Sequence, residues 1–105
     1  MATPEERLKE LGLILPEVST PGGSYVSVNI REQIAYVAIQ FPILNKEYLY
    51  QGRLGESITT EDGYKAMQLC ALNVLSQIKA KVGFDRVIGL NQFDAYYQSA
   101  EDWDE

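Results

Sequence analysis

Histidine is absent from the 105-residue sequence, and cysteine occurs once, at Cys70. The first absence removes the commonest general base and the commonest metal ligand. One cysteine without histidine cannot assemble a zinc set or close an internal disulfide. No metal and no cofactor is therefore expected. Basic residues are scarce as well: nine Lys and Arg stand against fifteen Asp and Glu, a net charge of −6. A nucleic-acid-binding face needs clustered positive charge, and no basic run occurs, so no nucleic-acid partner is expected. No apolar run approaches the roughly 20 residues of a bilayer span, so no membrane is expected either. The start, Met1-Ala2-Thr3-Pro4-Glu5-Glu6, is acidic and lacks the apolar core of a signal peptide. With the lone cysteine, this leads us to expect a cytoplasmic protein. The phosphate-cradling patterns G-x-G-x-x-G and G-x-x-x-x-G-K-[ST] do not occur, and Gly22-Gly23 fits neither.

What remains is a sequence of average globular character, 46% apolar and 23% charged, which argues against disorder. Its length suits one domain over residues 1–105, with no repeat or linker dividing it. Thr3, Pro4 and Glu6 make a capping box with proline at the first helical position, predicting a short helix over about 3–11 that Gly12 ends. Ser19-Thr20-Pro21-Gly22-Gly23 reads as a loop. Val26, Val28 and Ile30 alternate with polar neighbours, and Ile34 to Gln40 is rich in β-formers. Together they predict a hairpin over about 25–40, turning at Arg31-Glu32-Gln33. Pro42 ends the second strand, Asn45-Lys46-Glu47 is a turn, and Tyr48 to Gln51 is a short strand.

The clearest signal is a long helix over about 60–82. Thr59 caps it, with Asp62 at the capping-box position, and Glu61 and Asp62 complement the positive end of its dipole. Met67, Cys70, Ala71, Val74, Leu75, Ile78 and Val82 form a stripe at helical spacing. Cys70 on that stripe reads as a core residue rather than a nucleophile. After Gly83, a strand is expected over about 86–93, with Val87, Ile88 and Leu90 apolar. The order strand, helix, strand implies a helix packed across one face of a mixed sheet, a two-layer α+β fold. Seven tyrosines are present. Tyr25, Tyr36, Tyr48 and Tyr50 fall on strands, where Tyr serves either as packing with a wet hydroxyl or as the rim of a ligand cleft or subunit interface. The acidic tail Glu101-Asp102-Trp103-Asp104-Glu105 reads as a solvated terminus.

Several stretches together resemble a known family. They are Leu15-Pro16-Glu17-Val18, Gly23-Ser24-Tyr25-Val26, Gln40-Phe41-Pro42, Gly52-Arg53-Leu54-Gly55-Glu56-Ser57-Ile58-Thr59, Glu61-Asp62-Gly63-Tyr64 and Leu69-Cys70-Ala71-Leu72-Asn73. The combination is similar to the YjgF-like or RidA (reactive intermediate deaminase) family, also called endoribonuclease L-PSP, in the branch with an N-terminal helix. The resemblance implies a chorismate-mutase-like α+β fold, a homotrimer, and small-molecule clefts between subunits. It also implies hydrolysis of enamines and imines derived from amino acids, with an arginine holding the substrate carboxylate. Tyr25 and Gln40 match family cleft positions, whereas Ile39 stands where the family has a glycine. The family arginine and a late glutamate belong to a segment beyond Glu105, with a further helix and strands. None of Arg7, Arg31, Arg53 or Arg86 aligns with that arginine. The expected fold is thus a shortened version of the family's, and self-association is expected to close its sheet. No catalytic residue is assigned, and Tyr25, Ile39, Gln40 and Arg53 are the ligand-binding candidates. Three functions fit: a non-catalytic module binding a small molecule or a protein; a deaminase completed by Arg53 or a neighbouring subunit; or a structural piece without ligand.

Overall fold

The computed structural model describes residues 3–20, 23 and 25–104. Met1 and Ala2, the loop positions Pro21 and Gly22, the motif position Ser24 and the tail residue Glu105 lie outside them. Helix α1 spans Pro4–Glu10, the hairpin strands β1 and β2 span Val28–Arg31 and Ile34–Val37, and β3 and β4 span Ile43–Leu44 and Glu47–Tyr48. Helix α2 spans Thr60–Lys81, followed by a 3-10 turn at Phe84–Arg86.

Local chemistry sets both helices. The Thr3 hydroxyl accepts from the Glu6 N–H at 3.2 Å and starts α1. Gly12, at φ +69°, ends it. The N–H of Gly12 donates to the Lys9 carbonyl at 3.1 Å and that of Leu13 to Leu8 at 2.9 Å, the pair of bonds that satisfies a helix end when glycine takes the left-handed conformation. At α2 the capping box is complete: the Asp62 N–H donates to the Thr59 hydroxyl and the Thr59 N–H to the Asp62 carboxylate, both at 3.1 Å.

The strands pair only as two separate antiparallel ribbons, β1 with β2 and β3 with β4. The expected hairpin over 25–40 contracts to Val28–Val37. The expected strand at Tyr48–Gln51 is instead Glu47–Tyr48, which pairs with Ile43–Leu44 across a two-residue turn. Asn45 and Lys46 both take positive φ there, the geometry that matches strand twist in a tight hairpin. The single mixed sheet is not formed among the described residues. Nor is the expected strand over 86–93. From Val87 to Gln98 the chain runs without helix, turn or bend and joins no ladder. A strand needs a partner as well as β-forming residues, and no described residue pairs with it.

Helix α2 packs on β1, β2 and β3, but not on the predicted face. Its buried residues are Leu69, Leu72, Asn73, Ser76 and Gln77. The apolar stripe through Cys70, Val74 and Ile78 is only half-buried. The reason is hydrogen bonding. Asn73 donates its amide to the carbonyls of Phe41 at 3.0 Å and Ile43 at 2.9 Å. The Ser76 hydroxyl donates to the Pro16 carbonyl at 2.8 Å and Gln77 to the Ser19 carbonyl at 2.9 Å. The carbonyls of Pro16, Ser19 and Phe41 lie outside any strand and that of Ile43 opens β3, and main-chain carbonyls away from water need donors. The helix turns its polar residues to them.

The C-terminal residues return to the start of α2. Leu54 bridges Ser99, and Trp103 donates its indole N–H to the Thr60 hydroxyl at 2.9 Å. Gly55, at φ +80°, makes room, since a β-carbon there would lie 3.0 Å from Cδ1 of Trp103. Among the described residues the buried apolar core is small: Val28, Leu54, Leu69, Leu72 and Phe84. The molecule is correspondingly open. Its accessible surface is 8279 Å², against ~5,900 Å² for a compact monomer of this mass. Its radius of gyration is 15.0 Å, against ~13 Å for a compact chain of this length.

Candidate functional site

A cleft lies where the end of β2 meets β3, β4 and the loop before β1. It brings together three of the four candidates from the sequence, Tyr25, Ile39 and Gln40. Residues 38–41 follow β2 outside any strand, and Ile39 and Gln40 both line the cleft. Gln40 is steadied by its amide, which donates to the Ala38 carbonyl at 3.1 Å. Tyr48 on β4 and Phe41 pack with ring centres 5.8 Å apart, tilted by 58°. Their carbonyl-side anchor is Asn73 of α2, which grips the backbone at Phe41 and Ile43 from behind.

The lining is polar but uncharged. Hydroxyls come from Ser19, Thr20, Tyr25, Ser27 and Tyr48, and apolar surface from Ile39, Phe41 and Ile43. No Lys, Arg, Asp or Glu lines it among the described residues. The enclosed space is small, about 10 Å³, room for about one water molecule. Ile39 is 54% exposed at the cleft. A branched side chain there occupies space that a glycine would leave open.

Arg53, the fourth candidate, does not line the cleft. Its guanidinium donates to the Ser99 carbonyl through Nε at 3.3 Å and Nη2 at 3.0 Å, and Nη1 lies 3.3 Å from the Glu56 carboxylate. These contacts hold the returning C-terminal residues against the 53–58 loop. The physical reason lies in the sequence-distant pairing of Leu54 with Ser99, which presents a free carbonyl within reach.

Cys70 is half-buried, and burial pushes its thiol above the ordinary value. That disfavours the thiolate and with it a nucleophilic role. Among the described residues no three Cys, Asp or Glu side chains cluster as metal ligands. No described helix is long and apolar enough to cross a membrane. A second depression, an open groove of about 280 Å³, runs between Val26–Val28 and the last turns of α2, where Gln77, Ala80 and Lys81 line it.

Sequence reasoning missed Asn73, Ser76 and Gln77 as the inner face of α2. Their spacing from Leu69 and Leu72 was the available signal, since positions 69, 72, 73 and 76 share one helical face. It also missed Trp103 as a packed residue.

Comparison with known proteins agrees with this architecture. Residues 5–98 match the family described as "YjgF/chorismate mutase-like, putative endoribonuclease". "Protein TCP17" of Trypanosoma cruzi is 36% identical over 90 residues, covering 82% of this chain and 56% of its own length. The crystal structure of a "putative endoribonuclease" from Shewanella oneidensis superposes with a TM-score of 0.75 at 41% identity, over 81% of this chain and 57% of that one. Protein Atu1372 of Agrobacterium tumefaciens, of unknown function, gives 0.60 at 35% identity, over 70% and 43%. The chain thus spans about half the length of the relatives it matches. With its α+β fold, this chain belongs to the YjgF/chorismate mutase-like family.

Proposed function

We propose that residues 1–105 form a small-molecule-binding module of the YjgF type that does not by itself deaminate enamines or imines. The observation that carries this is the charge of the cleft. It gathers Tyr25, Ile39 and Gln40, yet no described cationic side chain lines it. A substrate carboxylate is held tightly by a guanidinium fork, which other side chains replace poorly. Arg53, the candidate substitute, is engaged with Ser99 and Glu56 instead. The enclosed part of the cleft holds about one water molecule, so a ligand would rest on its outer surface, where hydroxyls and tilted aromatic rings offer hydrogen bonds to a small neutral molecule. The chain would act in the cytoplasm, consistent with its single cysteine.

A second reading has one observation in its favour. Ile39 at the cleft is 54% exposed, so another polypeptide segment could pack on it and supply a cation. In that case deamination appears only when that segment is present.

The test is an enamine-generating assay on the purified chain beside a full-length family member. No acceleration above background, with the control active, agrees with the module. Acceleration proportional to chain concentration refutes it. Acceleration that appears only on adding a separate C-terminal segment of a relative selects the second reading.

A further inference from the structure

The run from Val87 to Gln98 is fixed at both ends. At one end Phe84 is buried. At the other, Leu54 exchanges backbone hydrogen bonds with Gln98 and Ala100 at 3.0 and 2.8 Å. From Ile88 to Tyr97 no backbone group makes a backbone hydrogen bond among the described residues. The sequence here is that of a strand covered on one side: in extended chain Ile88 and Leu90 share one face, and Gly89 and Asn91 the other. The apolar face is bare, with Ile88 104% and Leu90 79% exposed. A β-carbon at Gly89 would meet nothing within 4 Å, so the second face is open as well. Unpaired chain of this composition is a template for strand pairing. The whole molecule is under-covered on a larger scale. Its accessible surface of 8279 Å² exceeds that of a compact monomer by roughly 2,400 Å². That is about three times what one partner contributes to a standard interface. A single added peptide strand is too small to cover it, and a self-contact of standard size would leave most of it bare. The chain covers only 57% of the Shewanella oneidensis relative that it superposes on, so the rest of that relative is a polypeptide piece on the scale required.

We propose that Ile88–Phe93 is the docking strand for a separate polypeptide equivalent to the part of these relatives that has no counterpart in the 105 residues. The free N–H and C=O groups of the strap pair with a strand of that polypeptide, and its apolar side chains bury Ile88 and Leu90. Backbone pairing supplies affinity in such an addition, and the alternate side chains supply selectivity. The complex holds one segment per chain, whatever the number of chains in the assembly. It does not depend on the chemistry of the cleft or on whether the complex deaminates, so its test reads binding and not turnover.

The probe is the segment of the Shewanella oneidensis relative without a match here, made as a separate polypeptide and refolded from urea together with the full chain. Co-elution at one segment per chain is expected on size exclusion, with amide hydrogen exchange from Ile88 to Phe93 slowed relative to the chain alone. Separate elution overturns the proposal, and so does aggregation of the segment to the same extent with and without the chain. Strap amides already protected in the chain alone also overturn it, because the strap would then have a partner of its own. The double variant Ile88→Lys with Leu90→Lys is expected to keep the circular dichroism of the chain, since both residues are exposed and outside the core. It is expected to weaken the complex at least about a hundredfold, the scale of two apolar side chains no longer buried. Undiminished binding by that variant overturns the strap as the docking strand. Ile14→Lys changes a residue 85% exposed on the N-terminal arm and is expected to bind as the parent chain does; a loss equal to that of the double variant overturns the assignment to the strap.

Discussion

Asn73→Ala is expected to destabilise the fold by about 2 kcal/mol, and the figure follows from the contacts. Asn73 is 1% exposed and donates to two main-chain carbonyls, Phe41 at 3.0 Å and Ile43 at 2.9 Å. Each such bond contributes about 1 kcal/mol net, and a buried acceptor left without a donor costs about 1 kcal/mol or more. Phe41 is at the surface and Ile43 is half-buried, so water can reach the first carbonyl and only partly the second. One term runs the other way: the Asn73 side-chain oxygen is itself buried without a partner, and deleting it recovers about 1 kcal/mol. In urea, with a slope of about 1–1.5 kcal/mol per molar for a domain of this size, the midpoint should fall by roughly 1.3–2 M. Asn73→Asp sharpens the test, because it keeps the shape and replaces the donor with a carboxylate facing two carbonyls. At neutral pH it should cost more than the alanine, roughly 3 kcal/mol or more. Burial raises the folded pKa of such a group, so its penalty is present at neutral pH and shrinks as pH falls through that value, where the acid can donate again. Far-ultraviolet circular dichroism across a urea series measures both variants. An alanine shift below about 0.5 M, or an aspartate no worse than the alanine at neutral pH, refutes the assignment of Asn73 as the staple between helix and cleft.

The remaining expectations concern the ends of α2 and the returning tail. The Thr59 N–H and hydroxyl hold the Asp62 carboxyl below its ordinary value, with Lys65 adding to the effect. The folded pKa is therefore depressed, and the cap's contribution is present above the unfolded value and lost as pH falls through the folded one. A carboxyl NMR titration of Asp62 should show a low midpoint that moves up in Thr59→Ala; an unmoved midpoint refutes the capping assignment. Burial raises the Cys70 thiol, so the folded chain keeps a proton that the unfolded chain loses, and stability declines above the unfolded thiol pKa. At mildly alkaline pH, a thiol reagent should label the folded chain at least about tenfold more slowly than the chain in urea, and equal rates would count against it. Gly55→Ala forces a β-carbon into a left-handed position against Trp103. It should cost about 1 kcal/mol or more and red-shift the tryptophan emission, an effect absent if Trp103 does not pack on that loop.

The helices were legible because their signals are local. Thr3 and Thr59 each carry a capping partner three residues on, and those contacts form within one turn, so the expected spans and the observed Pro4–Glu10 and Thr60–Lys81 nearly coincide. The β1–β2 turn was legible for the same reason. Strand extent was not. Val87, Ile88 and Leu90 have strand chemistry, but a strand exists only where another strand meets it, and the residues that would do so are not nearby in sequence. The buried face of α2 was misread because apolar periodicity assumes an apolar contact. Here the facing surface is a set of carbonyls at 16, 19, 41 and 43, which select Asn73, Ser76 and Gln77. Tyr25, Ile39 and Gln40, named as candidates through the family resemblance, line one cleft. The placement of Arg53 depended on Ser99, 46 residues away, and no local pattern could carry that.

The staples from α2 have a consequence for how the cleft can change. Every acceptor they hold is a main-chain carbonyl, a group that each residue type supplies identically. Substitutions at Ser19, Phe41 or Ile43 therefore alter what the cleft presents without disturbing the bonds that position it. The helix fixes the course of the chain, and the side chains at these positions remain free to vary. A library restricted to these three residues and Ile39 would sample new lining chemistries on a fixed backbone, so ligand preference in this scaffold can diverge without a matching loss of stability.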